Sequence, residues 1–318
     1  MVLLMYCLHM DKRDWFASFI GALAVLFRQT NIVWVFFVAV QCAMPHIIAS
    51  AHDARMIQSE APIRFSLTTL GQLQELLEGT CLLLFTPKKV FQLVFLVLKD
   101  CFGYLIVASS FVVFVVYNQG VVVGDRSAHQ VVMHPSQILY FSAFCLAWGA
   151  PYALARLEPF FETIKRHWIA AGITLTLMVG IVQSYTIAHP YLLADNRHYT
   201  FYLWRKIIMS QWTPTALVPV YCFASFCLLY SIRRSDLAFK VAYPICLILN
   251  VMPQYLLEFR YFVIPFMFYR LQVRPQSWMK LIAELILFQI VNIVTLCLFI
   301  YYPFTWPQNP GEHQRFMW

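Results

Sequence analysis

Long unbroken apolar runs constrain this chain more than any other feature. The stretches 168–188 and 281–302 hold a single charged residue between them, Glu284. Each is close to the length of about 20 residues that crosses a bilayer as a helix. In hydrocarbon every backbone amide must pair within its own segment or within a closed barrel. Barrel strands would alternate apolar and polar positions over about ten residues, and these runs do not alternate. The composition of the 318 residues agrees, with 61% hydrophobic and 12% charged, where a soluble domain carries about 25% charged. The expectation is an all-α polytopic membrane protein.

Apolar stretches at 15–27, 31–49, 101–117, 138–155, 168–188, 212–230, 239–256, 261–271 and 281–302 read as helices. Residues 1–10 look like the tail of a further helix. Residues 50–80 are the most polar region, and 81–98, with Lys88-Lys89 inside it, reads as an interfacial or partly inserted helix. No repeat or low-complexity run is present, so the chain reads as one multi-helix transmembrane domain over 1–318.

The net charge of +8 points to nucleic acid only in a soluble domain. Here the bases lie between apolar segments, and strict alternation of sides sorts them. One set of loops, including a long one at about 50–98, holds 16 of the 23 Lys and Arg, and the other set holds 7. The positive-inside rule makes the first set cytosolic. The basic-poor side then carries the polar loops 118–137 and 189–211 together with Arg28, Glu258, Arg260 and the tail from Pro303. The nine cysteines lie in or beside apolar runs without a CxxC pair, as small buried apolar residues do.

The candidate sites sit on that basic-poor side. The loop from His189 to Lys206 holds two histidines, one acid, three bases and five aromatics, far more than a connector requires. Asp195, Arg197, His198, Tyr202, Arg205 and Lys206 are its candidates for holding a charged ligand at the membrane surface. The bland alternative for Arg205-Lys206 is an interfacial anchor beside an aromatic belt. The loop 118–137 adds Asp125, His129 and His134, suited to hydrogen-bonding a sugar or phosphate. Its two histidines are five apart, with no completing ligand for a metal. Arg28 sits between two apolar helices, where an ionised group is kept for a partner or ligand, or snorkels outward. Glu258 and Arg260 are two apart. Either Arg260 offers a guanidinium fork to a phosphate, or the two satisfy each other.

Five strings go further. Phe27-Arg28-Gln29-Thr30-Asn31-Ile32-Val33-Trp34, Gly124-Asp125-Arg126-Ser127-Ala128-His129-Gln130, the run from His189 to Tyr199, Leu256-Leu257-Glu258-Phe259-Arg260-Tyr261-Phe262 and Gln314-Arg315-Phe316-Met317-Trp318 resemble one family. It is the endoplasmic-reticulum alpha-1,2-glucosyltransferases that add the last glucose to the dolichol-linked oligosaccharide. The resemblance implies a GT-C-type glycosyltransferase fold in a multi-pass membrane protein of the endoplasmic reticulum, with the basic-poor face lumenal. It implies dolichyl-phosphate glucose, the dolichol-linked oligosaccharide and membrane lipid as partners. The placement of the bases argues against nucleic acid, and no residue pattern calls for a cofactor or metal. On charge and sidedness, Arg260, Arg205, Lys206 and Arg197 are the candidates for the leaving phosphate. The family's catalytic base is expected in an earlier lumenal loop bearing an Asp-Glu pair. Residues 1–14 do not match that loop, so the chain reads as the C-terminal portion of such an enzyme and no base is assigned within it. The rival reading is an inactive, shortened membrane protein that binds dolichol-linked lipid or regulates a partner.

Overall fold

The computed structural model describes residues 1–58, 68–122, 131–210, 212–274 and 277–317. Internal contacts group the chain into two compact units, Met1–His129 with Arg234–Asn250 and Gln130–Arg233 with Val251–Trp318, where the sequence alone suggests a single domain.

The chain opens with helices α1 (Val2–Met10) and α2 (Asp14–Phe27), then a 3-10 turn at Gln29–Asn31 that leads into α3 (Ile32–Gln58). α4 (Thr69–Leu84) and α5 (Pro87–Asn118) follow. Two expectations change here. The predicted helix 31–49 runs on to Gln58, because its polar extension finds partners. Arg55 lies 3.8 Å from Glu75 and 3.6 Å from Glu78 of α4. The expected loop at 50–98, and the single helix expected at 81–98, are largely replaced by the end of α3, by α4 and by the start of α5. The break falls at Phe85-Thr86 because Pro87, lacking an N–H, starts a new helix at its first turn. Thr68 caps α4 by accepting from the Gly71 amide at 3.1 Å. Gly79 lets α3 and α4 touch, since a Cβ there would stand 2.5 Å from the Ala51 carbonyl oxygen.

The second unit begins with α6 (Ser136–Trp148), α7 (Ala150–Ala153) and α8 (Leu157–Arg166). The predicted helix 138–155 breaks at Gly149, and the two halves meet at 89°. α9 (Trp168–Tyr185) precedes two short helices, α10 (Pro190–Ala194) and α11 (Tyr199–Leu203), and a π turn at Trp204–Ile208. α12 (Thr213–Ala216) and α13 (Val218–Ile232) close this stretch, and α14 (Leu237–Val251) belongs mostly to the first unit. The chain ends with α15 (Arg260–Gln272), α16 (Trp278–Tyr301) and a hairpin of β1 (Phe304–Trp306) and β2 (Asn309–Gln314).

Among the described residues, four helices are long and apolar enough to cross a membrane, Gln29–Met56, Pro87–Asn118, Trp168–Tyr185 and Trp278–Tyr301. The bent pair at Gly149 makes a fifth if it counts as one span. The outer surface suits that setting, since α16 exposes Leu285, Ile286, Ile290, Ile293 and Leu296. Such a stripe is unfavourable against water and neutral against lipid. Aromatic side chains fill both interiors. In the first unit Phe37 meets Phe239 edge-on at 5.6 Å, and Phe239 stacks on Tyr243 at 4.9 Å. In the second, Phe144 touches Phe259, Phe262 and Phe266, and Trp148 stacks on Phe288 at 4.8 Å.

At the start of α16 the lone acid of its apolar run is paired. Arg270 grips Glu284 through two bonds of 2.6 Å, and Tyr152 bonds both partners at 3.1 Å. Sequence reasoning passed over this pair. Its available signal was an acid inside a membrane helix, which requires a partner.

Candidate functional site

At the other end of α16 the second unit gathers four connecting segments. The strand-like stretch before α6 lies along the one after α14, with the His134 amide donating to the Met252 carbonyl at 3.0 Å. Gln137 donates to the carbonyls of Gln254 and Leu256 at 3.2 Å each. The Ser136 hydroxyl donates to the Tyr185 carbonyl at 2.9 Å, joining the start of α6 to the end of α9. His189 caps α10 through its ring nitrogen, 3.0 Å from the Tyr191 amide, and meets the Tyr255 ring at 4.5 Å. Three of the recognisable strings, those at 189–199, 256–262 and 314–318, therefore send residues to this end or to the tail that folds onto it.

The tail contacts are dense. The Met317 amide donates to the Arg197 carbonyl at 2.7 Å, and the Trp306 indole donates to the Asn196 side chain at 2.7 Å. Tyr199 meets Phe316 edge-on at 4.5 Å and shares a 2.7 Å hydroxyl bond with Thr295 of α16. Arg315 caps the end of α16 by donating to the carbonyls of Phe299 and Ile300.

This packing sorts the candidate residues. Asp195 and Arg197 satisfy each other. The guanidinium donates to both carboxylate oxygens at 2.9 and 2.7 Å, and the Arg197 amide adds a third bond at 3.0 Å. His198 lies 3.4 Å from the same carboxylate. Arg197 also packs over Trp306 at 5.0 Å, so this cation ties the loop to the tail. Its bonds hold the Asp195 carboxyl below the usual carboxylate range. Glu258 and Arg260 form a local ion pair, the self-satisfied alternative, although the Arg260 side chain remains 64% exposed and lies over Tyr261.

Arg205 and Lys206 differ. Both are exposed on the π turn, and among the described residues no carboxylate lies within ion-pair distance of either. The turn widens the helix by one residue, a feature frequent at functional sites. Tyr202, half a turn earlier, is partly exposed between Phe201 and Phe316.

His134 is fully buried, and burial holds its imidazole below the ordinary histidine value, and hence neutral. Its Nδ1 donates to the Gln254 carbonyl at 3.3 Å in the matching tautomer. Arg28 ends α2 in the first unit, half-buried. Asp125 and His129 lie outside the described residues. Gln137 and Tyr255, which sequence reasoning passed over as site residues, hold the joint beside His134. Their signal was weak because neither is charged.

These features define a polytopic α-helical membrane protein with a polar, aromatic and partly cationic end. The chain belongs to the DIE2/ALG10 family, whose profile matches residues 1–271. It is 33% identical over 98% of its length to the mouse (Mus musculus) protein named Dol-P-Glc:Glc(2)Man(9)GlcNAc(2)-PP-Dol alpha-1,2-glucosyltransferase, and covers 65% of that relative. Proteins of the same name in Drosophila melanogaster and Arabidopsis thaliana are 31% and 32% identical over all of this chain, which covers 69% and 70% of them. The chain thus spans about two thirds of the length of the curated relatives it matches. No solved structure matches it.

Proposed function

We propose that this protein transfers glucose from dolichyl-phosphate glucose to the diglucosylated dolichol-linked oligosaccharide, forming the terminal alpha-1,2 linkage. The reaction takes place at the lumenal face of the endoplasmic-reticulum membrane, on a GT-C-type fold. The observation that carries this reading is the likeness to glucosyltransferases of that name along 98% or more of the chain.

In such an inverting transfer an acceptor hydroxyl attacks the anomeric carbon while the bond to the dolichyl phosphate breaks. A base takes the hydroxyl proton, and fixed cations receive the negative charge that grows on the leaving phosphate. Arg205 and Lys206 suit the second task, being exposed and free of carboxylates among the described residues. Arg197 is a weaker candidate because its fork is already filled by Asp195. Asp195 in turn makes a poor base. A carboxylate held by arginine binds protons too weakly to abstract one near neutral pH.

The test grafts this chain in place of the matching stretch of the mouse relative. The chimera is supplied with dolichyl-phosphate glucose and the diglucosylated lipid-linked acceptor. Formation of the triglucosylated product is expected. A folded chimera that binds the donor lipid without transferring glucose would favour the binding or regulatory reading instead.

A further inference from the structure

The first unit contains a second concentration of chemistry, remote in character from any sugar site. His9 of α1, Asp14 at the start of α2 and Cys42 of α3 each present a ligand atom, and the three atoms lie within 4.8 Å of one another. His9 and Cys42 are each 7% exposed. The His9 Nδ1 is 2.7 Å from the Asp14 Oδ1, and the Tyr104 hydroxyl of α5 donates to that same oxygen at 2.9 Å. Among the described residues no donor reaches Oδ2 of Asp14. A second buried thiol, Cys101 of α5, donates to the Ala39 carbonyl of α3 at 3.7 Å. The backbone is also bent to bring the first two together, for Lys12 adopts a left-handed conformation at φ 61° in the turn between α1 and α2, unusual for a residue other than glycine.

A hydrogen-bonded aspartate explains His9 and Tyr104. It does not explain why a buried thiol from a third helix, Cys42, brings its sulfur within 4.8 Å of both the carboxylate and the imidazole. We infer that His9, Asp14 and Cys42 form a zinc site. Nitrogen, carboxylate oxygen and thiolate sulfur are the donors zinc takes, at about 2.0–2.3 Å in a tetrahedron, so its ligand atoms stand about 3.3–3.8 Å apart. The His9–Asp14 contact opens and the widest separation closes by about 1 Å to reach that shape, a change of side-chain torsions. On binding, the Cys42 thiol gives up its proton to solvent and sulfur donates its electron pair to the ion. With a neutral imidazole, one carboxylate and one thiolate, the divalent ion is left with no net charge. A neutral complex suits a buried site in an apolar unit. A water takes the fourth position, and Tyr104 holds the carboxylate from behind, as outer-shell partners of zinc ligands do. Sequence spacing conceals the site, because its members lie on three helices with no i,i+3 or i,i+4 pair among them.

The experiment measures metal in the purified full chain by elemental analysis after dialysis without chelator. About one zinc per chain is expected, falling to background in Cys42→Ala and His9→Gln and unchanged in Cys7→Ser, whose thiol is exposed. Because misfolding would also remove zinc from Cys42→Ala, cobalt is also exchanged into the unaltered chain. Thiolate-to-cobalt charge-transfer absorption and the strong d–d bands of tetrahedral cobalt are expected. Tyr104→Phe should retain the spectrum and bind zinc about 10–100-fold more weakly. A folded chain without zinc and without the cobalt bands would overturn the inference. So would a Cys42–Cys101 disulfide found by peptide mapping, or zinc retained in both ligand variants.

Discussion

Arg197 and Arg205 stand eight positions apart in one loop, and their surroundings are opposite. Arg197 has an aspartate two residues before it, a tryptophan beneath it and the C-terminal tail across it. Arg205, with Lys206, stands exposed on the π turn, its guanidinium 5.8 Å from the Phe201 ring and, among the described residues, beyond ion-pair distance of any carboxylate. In linear sequence both read as cations able to meet a phosphate. The difference lies in whether an acid is already within reach, because a guanidinium bound at both arms has no fork left to offer. Within this loop, then, cations split into those that build the site and those free to meet a ligand.

The far end of α16 gives the extreme case of a committed cation and the largest expected effect. Replacing Arg270 by Met leaves Glu284, 6% exposed, without its partner, and should destabilise the protein by about 3–5 kcal/mol. Thermal unfolding in detergent reads this. Adding Glu284→Leu should restore much of the loss, since the isolated charge is what destabilises.

The Asp195–Arg197 pair should give a smaller version. Arg197→Ala should cost about 1.5–3 kcal/mol, the range for a hydrogen bond to a charged group, and should release the tail. Hydrogen exchange at the Met317 amide, whose acceptor is the Arg197 carbonyl, reports that release.

Acid should probe the same pair without mutation. Asp195 is held below its ordinary value by Arg197, so its contribution to stability is present above an unfolded-state pKa of about 3.9. It is lost as pH falls through the lower folded-state value. Protection of the Met317 amide should therefore hold from neutrality to about pH 4 and fall below it. Asp195→Asn should remove this step.

Trp306→Phe is expected to have the smallest effect. It deletes one 2.7 Å bond to Asn196 while keeping an aromatic ring, and should cost about 0.5–1.5 kcal/mol, read from the same unfolding curves.

Much of the fold was legible because long apolar runs admit few solutions. The expected helices at 15–27, 168–188 and 281–302 appear as Asp14–Phe27, Trp168–Tyr185 and Trp278–Tyr301. The extension of α3 was hidden because polar residues after Ile48 looked like loop until α4 supplied Glu75 and Glu78. The bend at Gly149 had a visible signal in Gly149-Ala150-Pro151, outweighed by the apolar residues around it. The strings that carry the family resemblance also marked the polar end of the second unit, since His189, Asn196, Arg197 and Tyr199 all make its contacts. Which of their charges remain free was not legible. That depends on the tail folding back onto the loop across about 110 residues, as the 2.7 Å Trp306–Asn196 bond shows. The cluster at His9, Asp14 and Cys42 was hidden for the same reason.

The most direct test of this division is the kinetics of the grafted glucosyltransferase carrying Arg205→Ala and Lys206→Ala together. Each charged hydrogen bond to a phosphate contributes about 1.5–3 kcal/mol, so kcat/KM for dolichyl-phosphate glucose should fall by at least about tenfold. The melting temperature should stay where it is, because neither side chain holds the fold. Unchanged donor kinetics, or a loss of activity matched by a loss of stability, would contradict the claim that these two cations are free to meet the phosphate.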